Sequence, residues 1–378
     1  MPNVNYDECL LKHYVRRHGW LPLCRERLKL VRQAQTTKTN RRIRYFTFCA
    51  VGAVDVLMLD IARIVIRSDS GRFDNVVFFD KAVEDVEKTL KSIPGAIGYP
   101  GDFLNTVLLE DNEEDNVVSD ASPLESIVDE EDTSQTRGSQ RLKAIHRQFI
   151  AHFPYDALNF DLEGFFFKPN DPMPGKMVRA FRKIFEWQKR TGIDGQGKGV
   201  SINSFSLMFT TQVGPPNLTE DYLSQLEECL QRNLDSNSNL RTAFSSKVGH
   251  EDVERLRGQD FNLFFKLGMP KVLASILKET GWIVDSDKGI TIYEFSRPSI
   301  SGPYQMLHLM MQVKRQAPHL PGAIPTQAEE THARVIQKLF QEEQIVVTDD
   351  LIEPQKSDLQ TNLDAILARR QKYSAAEY

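Results

Sequence analysis

Three side chains that can orient or deprotonate a substrate lie in one short stretch of the chain: Asn159, Asp161 and Glu163. They alternate with apolar residues, and every second residue of an extended strand lies on the same face. The spacing therefore predicts an amide and two carboxylates side by side at the end of a strand. Because carboxylates are costly to bury without a partner, this pattern indicates a functional site for acid–base or orienting chemistry.

Two more acids follow apolar segments upstream. Asp80 closes the apolar run 76–79, and Asp102 lies in a Gly-Asp turn. Each could contact a ligand, or each could cap the helix that begins after it. The earlier apolar run from Tyr45 ends in small residues up to Gly52, which is typical of a buried strand that turns into a helix.

The elements that position these acids follow from the hydrophobic pattern. Strands are predicted at 45–52 and 75–81, then a third that ends at the turn 98–103, a fourth at 155–164 and a fifth at 200–211, with helices at 54–66, 81–92, 141–153 and 177–189 between them. Strands and helices that alternate at this spacing predict parallel pairing. Helices at 220–233 and 253–280 follow, the second broken near Pro270, and then a hairpin of 282–284 with 290–297 and a last strand at 304–314.

This order of elements and acids resembles the class I methyltransferase superfamily, which binds S-adenosylmethionine (SAM). The resemblance implies a Rossmann-like α/β fold: a mostly parallel seven-stranded sheet with helices on both faces, an antiparallel hairpin at its end, and helical additions at both termini. It covers roughly residues 44–315 and implies a SAM-dependent methyltransferase of unknown acceptor, nucleic acid or protein.

The resemblance also assigns roles to residues. The cofactor would lie over the turn after the first strand, over the acid that ends the second strand and over the turn after the third. The residues so assigned are Phe48, Cys49, Ala50, Gly52, Asp80, Lys81, Gly101, Asp102 and Phe103. The methyl acceptor would face Asn159, Asp161 and Glu163, which would be the catalytic residues.

A second interpretation stays open, because Gly52 is the one glycine of the first turn, and Phe48 and Ala50 stand where the family usually has an acid and a glycine. A methyltransferase-like fold without catalysis could serve as a binding or scaffold subunit, in nucleic-acid processing or in host defence. Fold alone does not decide between an enzyme and such a subunit.

Charge is distributed unevenly along the chain. Residues 12–44 hold eleven Lys and Arg against one acid, whereas residues 110–132 hold eleven acids and no base. The basic segment predicts a nucleic-acid contact, centred on Lys38, Arg41, Arg42 and Arg44, although a solvated helix face is the alternative. The predicted organisation is a basic helical extension at 1–43, an α/β domain at 44–315 with an acidic disordered insertion at 110–138, and a polar helical extension at 316–378 that could bind a partner protein.

Scattered cysteines and histidines predict neither disulfides nor a metal site. The chain shows no apolar run of membrane-spanning length and no signal peptide, so a cytoplasmic location is expected.

Overall fold

A computed structural model describes residues 8–33, 42–48, 52–65, 72–109, 134–167, 175–193, 199–214, 218–285, 290–297, 304–316, 337 and 345–375. The chain divides into two compact units, each built from separate segments. Unit 1 comprises residues 1–27, 157–178 and 203–364; unit 2 comprises residues 28–156, 179–202 and 365–378. The domains predicted from the sequence, with boundaries at residues 43 and 315, are continuous segments, whereas each of these units combines several. The predicted boundaries stay a prediction.

Unit 2 contains three strands that pair in parallel. Strand β2 pairs with β1 on one side and with β3 on the other, with Asp80 opposite Pro100. The strands are β1 (Tyr45–Thr47), β2 (Val76–Asp80) and β3 (Ile97–Pro100). The helices are α2 (Leu21–Gln33, which begins in unit 1), α3 (Val54–Ile61), α4 (Val83–Ser92), α5 (Phe103–Val107), α6 (Ser134–Ala151) and α7 (Lys176–Trp187, which also begins in unit 1). Strands β5 (Gly192–Ile193) and β6 (Gly199–Val200) form a small antiparallel pair.

Unit 1 contains a mixed sheet in the order β11-β9-β10-β7-β4. Strand β4 is parallel to β7, and β10 is antiparallel to its neighbours β7 and β9. The strands are β4 (Ala157–Phe165), β7 (Ser204–Gln212), β8 (Trp282–Val284), β9 (Ile290–Arg297), β10 (Tyr304–Arg315) and β11 (Ile345–Val347). The helices are α1 (Leu10–Val15), α8 (Glu220–Ser236), α9 (Ser238–Val248), α10 (Val253–Gln259), α11 (Phe261–Glu279), α12 (Asp349–Ile352) and α13 (Lys356–Ser374, which ends in unit 2).

The chain is therefore an α/β protein with parallel and antiparallel strand pairs, as predicted. The count of seven strands and the position of helices on both faces are not confirmed. The apolar runs predicted as strands β2, β4 and β7 are strands, because residues buried on both faces favour extended backbone in a covered sheet.

Three predicted features are corrected. The stretches 282–284 and 290–297 do not pair as a hairpin: β8 and β9 both run antiparallel to β10 and lie consecutively along it. Helix α11 continues through Pro270, and the break lies at Asp260, whose side chain caps α11. The predicted acidic insertion ended at residue 138, but α6 already begins at Ser134; residues 110–133 lie outside the described part.

The N-terminal helices are joined rather than broken. Between α1 and α2 the chain forms a π-helical turn, Arg16–Trp20, in which the Leu21 N–H donates to the Arg16 carbonyl. A Cβ at Gly19 would lie 2.5 Å from the sulfur of Met310, so a larger residue there would displace the end of the Met310 side chain. The wider turn keeps the helix continuous where Gly19 and Pro22 predicted an interruption.

Candidate functional site

The carboxyl ends of β2 and β3 place Asp80 and Gly101 beside each other in unit 2. Asp80 is half-buried, its Oδ1 accepts a hydrogen bond of 3.3 Å from the Ala82 N–H, and its carbonyl accepts from the Gly101 N–H at 2.9 Å. Partial burial raises the pKa of the Asp80 carboxyl. The next residue, Lys81, is exposed. The predicted strand-ending acid is therefore present, and its side chain is half-buried.

Asp102 has the capping role that was the alternative for it. Its Oδ1 accepts a hydrogen bond of 2.8 Å from the Asn105 N–H and so caps α5. The preceding Gly101 has a φ of +120°, a conformation that L side chains rarely adopt, with no atom within 4 Å of a Cβ built there. A contact between Asp102 and a cofactor stays a prediction.

Two phenylalanines assigned to the cofactor contact each other. The rings of Phe48 and Phe103 meet edge-to-face with centroids 4.7 Å apart, and Phe46 stacks on Phe103 at 6.0 Å. Phe46 also contacts Phe149, so these rings continue into the buried core of unit 2.

The first turn is described in part, because Cys49 and Ala50 lie outside the described residues. Gly52 is buried, and a Cβ at this position would lie 3.1 Å from Nη1 of Arg370. Ala53, which precedes α3, has a left-handed φ of 44°. The buried Asp55 fixes the turn, because Tyr45 and Thr47 both donate to its Oδ2, at 3.0 and 2.8 Å. The turn therefore contains one residue in a strained backbone conformation, Ala53, and the guanidinium of Arg370 lies next to Gly52.

The predicted catalytic residues lie on β4 in unit 1. Asn159 and Asp161 are both buried, and the side chain of Glu163 is outside what the structure describes. The pairing of β4 with β7 is regular up to Asp161 and shifts before Phe165. Such irregularities re-aim side chains at the end of a strand. Asn159 and Asp161 therefore lie two residues apart on β4, and both are buried rather than exposed at the end of the strand.

Asp161 has a partner that the sequence pattern did not indicate. The Nζ of Lys12 lies 2.7 Å from Oδ2 of Asp161, and the two side chains are 1% and 7% exposed. Lys12 comes from α1, which had been interpreted as part of a basic surface. A buried ion pair of this geometry neutralises the carboxylate and encloses it.

A second titratable group, His308 on β10, belongs to the same buried region. Its Nδ1 lies 2.8 Å from Oγ1 of Thr210, and its ring stacks on Phe295 with centroids 5.1 Å apart. Burial lowers the pKa of His308 to about 3, and the positive charges of Lys12 and Arg16 act in the same direction against the opposing effect of Asp161. The imidazole is therefore neutral at physiological pH.

The cations predicted to bind nucleic acid lie in unit 2 where they are described. Arg42 donates to the carbonyl of Arg63. The guanidinium of Arg44 donates to the His152 carbonyl at 2.5 Å and lies 5.9 Å from the ring centroid of Tyr155. Both arginines thus hold the fold around β1, while Lys38 and Arg41 lie outside the described residues. The nucleic-acid contact stays a prediction for this segment.

The predicted C-terminal extension contributes to the core of unit 1. Asn362 Oδ1 lies 3.0 Å from Nε2 of His13, and Asp358 forms an ion pair of 2.7 Å with Arg17. Strand β11 pairs in parallel with β9. The N- and C-terminal segments therefore pack together within this unit. A partner protein for residues 316–378 stays a prediction.

None of the helices within the described ranges combines the length and the apolar character needed to cross a bilayer. No protein-family model matches the chain, and no curated protein sequence matches it significantly.

Proposed function

We propose that this chain is a methyltransferase-like α/β protein that serves as a binding or scaffold subunit and does not transfer methyl groups. The observation that carries the proposal is the buried pair of Lys12 and Asp161, 2.7 Å apart. A carboxylate that orients or deprotonates an acceptor must be reachable by that acceptor. Asp161 instead contacts an ammonium group of its own chain.

The strand arrangement supports the methyltransferase-like part of the proposal. In unit 2 the parallel strands β1, β2 and β3 present Asp80 and the Gly101 turn at their carboxyl ends. In unit 1 the late strand β10 lies antiparallel between β7 and β9, an arrangement that fits the two antiparallel strands the resemblance implies. Fold of this kind carries no activity by itself.

The residues around the predicted cofactor turn fit SAM poorly, which supports the non-catalytic part. Phe48 and Phe103, both assigned to the cofactor by the resemblance, contact each other, and Asp102 caps its own helix. No step of catalysis is therefore assigned to a bound cofactor.

A second candidate function, SAM-dependent methyl transfer, is favoured by Asp80. This carboxylate lies at the end of β2, half-buried and with a raised pKa. Acids with shifted pKa values cluster at functional sites, and the resemblance assigns this position to the ribose hydroxyls. The acceptor, nucleic acid or protein, would be the same as in the enzyme interpretation of the sequence.

Titration calorimetry with SAM and with S-adenosylhomocysteine separates the two candidates. For the scaffold we expect no saturable heat and no thermal shift at millimolar ligand. A one-to-one isotherm that Asp80→Ala abolishes, with the folded fraction unchanged, would overturn the non-catalytic proposal in favour of the second candidate. Glu84→Ala, an acid in the first turn of α4, is the matched control for loss of a carboxylate nearby.

A further inference from the structure

The outward face of α7 and of the residues that follow it is strongly basic. Its exposed or half-exposed positions recur every three to four residues, as one face of a helix requires. The face holds five cations, Arg179, Arg182, Lys183, Lys189 and Arg190, and one acid, Glu186. From Arg179 to the last helical residue, Trp187, eight steps of 1.5 Å cover about 12 Å of helix, and Lys189 and Arg190 lie in the turn that follows.

Helix α6 packs against α7 and adds to the positive charge. The ring of Trp187 meets those of His146 and Phe149 edge-to-face, with centroids 5.7 and 6.1 Å apart. The sequence of α6 contains no acid, and Arg141, Lys143 and Arg147 are half-exposed on it. We call the cations of α6 and α7 together the α6–α7 basic face; it lies wholly within unit 2.

Aromatic side chains of these two helices are not available for stacking on bases. Phe149, Phe181, Phe185 and Trp187 are all buried in the described structure. A surface that offers cations without exposed rings contacts phosphates rather than bases. The chemistry of the face therefore favours a regularly spaced polyanion.

We propose that the α6–α7 basic face binds the phosphate backbone of nucleic acid without sequence preference. This inference rests on the proposed function, since it names the partner of a non-catalytic subunit. The Nζ of Lys183 donates to the Leu109 carbonyl at 3.1 Å, so the proposal rests on the three exposed cations of the face, Arg179, Lys189 and Arg190. Release of condensed counterions from about three neutralised phosphates would make binding dependent on salt.

The test is fluorescence anisotropy of the full chain with a labelled 20-base-pair DNA duplex at several salt concentrations. We expect a slope of log K against log salt of about −2.7, from about 0.9 per phosphate. The triple variant Arg179→Glu, Lys189→Glu, Arg190→Glu should weaken binding at least tenfold and bring the slope close to zero. A shuffled duplex should bind as well as the first.

The matched control reverses three exposed lysines on other helices, Lys88→Glu, Lys247→Glu and Lys278→Glu, with the same change in net charge. The control should bind as the wild type does, apart from a weak general effect of charge. Equal weakening of both triple variants, or no binding by the folded wild type at 50 mM salt, would overturn the proposal. Circular dichroism verifies folding, and because no SAM is present, failure here leaves the calorimetric test of the proposed function unaffected.

Discussion

Units 1 and 2 each hold an acid on an apolar parallel strand, Asp80 at the end of β2 and Asp161 within β4, and the two acids have different surroundings. Asp80 on β2 is half-buried and accepts from the Ala82 N–H at 3.3 Å. Asp161 on β4 is buried and lies 2.7 Å from the ammonium of Lys12. Partial burial makes the charged form of Asp80 costly to stability, whereas Asp161 belongs to a structural ion pair. The same sequence pattern therefore precedes two different roles.

Removal of Lys12 tests the structural pair and has the largest expected effect. Lys12→Met should lower the free energy of unfolding by about 3–5 kcal/mol, because it leaves the Asp161 carboxylate buried without its partner. The double variant Lys12→Met, Asp161→Leu should recover most of the loss. Urea unfolding at pH 7 measures both.

The control for this variant is Lys88→Met, which removes a lysine whose side chain is 59% exposed. Its stability should equal that of the wild type within error. A loss below 1 kcal/mol for Lys12→Met would show that the pair is open to water.

His308 predicts how unit 1 responds to acid. Its folded pKa of about 3 lies below the ordinary 6.5, so between these values the unfolded state binds the extra proton. Stability from this group is complete above pH 6.5 and falls as the pH drops towards 3, by about 1.4 kcal/mol per pH unit.

The matched variant is His308→Asn, which removes the titrating group. Between pH 6 and 4, its unfolding free energy should fall less steeply with decreasing pH than that of the wild type. The difference in slope corresponds to the uptake of one proton on unfolding. Identical slopes in urea melts across this range would show that His308 is protonated in the folded protein.

Asp102 tests the capping role assigned to it in unit 2. Asp102→Ala should cost about 1 kcal/mol, because the Asn105 N–H loses its acceptor, whereas Asp102→Asn should cost little, since Asn is also a good N-cap. Thermal unfolding of the two variants compares them directly. Equal losses would indicate that the negative charge, not the cap, matters at this position.

The smallest effect is expected at Asp80, and its sign is opposite to that at Asp161. Burial raises the pKa of the Asp80 carboxyl, so the charged form at pH 7 costs stability. Asp80→Asn should leave the protein as stable as the wild type or slightly more so, whereas Asp161→Asn, which leaves Lys12 buried, should destabilise it. Two variants that change stability in the same direction would remove the contrast between the units.

Much of the fold could be predicted because its signals are local. The apolar runs of β2, β4 and β7 and the amphipathic α7 follow from residue spacing alone. The alternative role of Asp102 as a cap was likewise readable from its position before a helix.

The partners of the site could not be predicted, because they come from distant parts of the chain. Lys12 belongs to a basic run that resembles a solvated helix, and nothing near it in sequence indicates that it lies buried against Asp161 on β4. The same limit explains the missed pairing of β8, since two successive strands along β10 have the same alternation as a hairpin. The charge pattern predicted a basic surface, but tertiary packing determines which of the basic helices are exposed.

The most direct test of the closed β4 site is the reactivity of Lys12. Reductive methylation of the native protein, followed by peptide mass spectrometry, reports which amines reach solvent. We expect Lys12, whose side chain is 1% exposed, to stay unmodified while Lys88 and Lys356, at 59% and 48%, react fully, and Lys12 to react only after unfolding. Modification of Lys12 in the folded protein at the rate of Lys88 would contradict the account, because an acceptor could then reach Asp161.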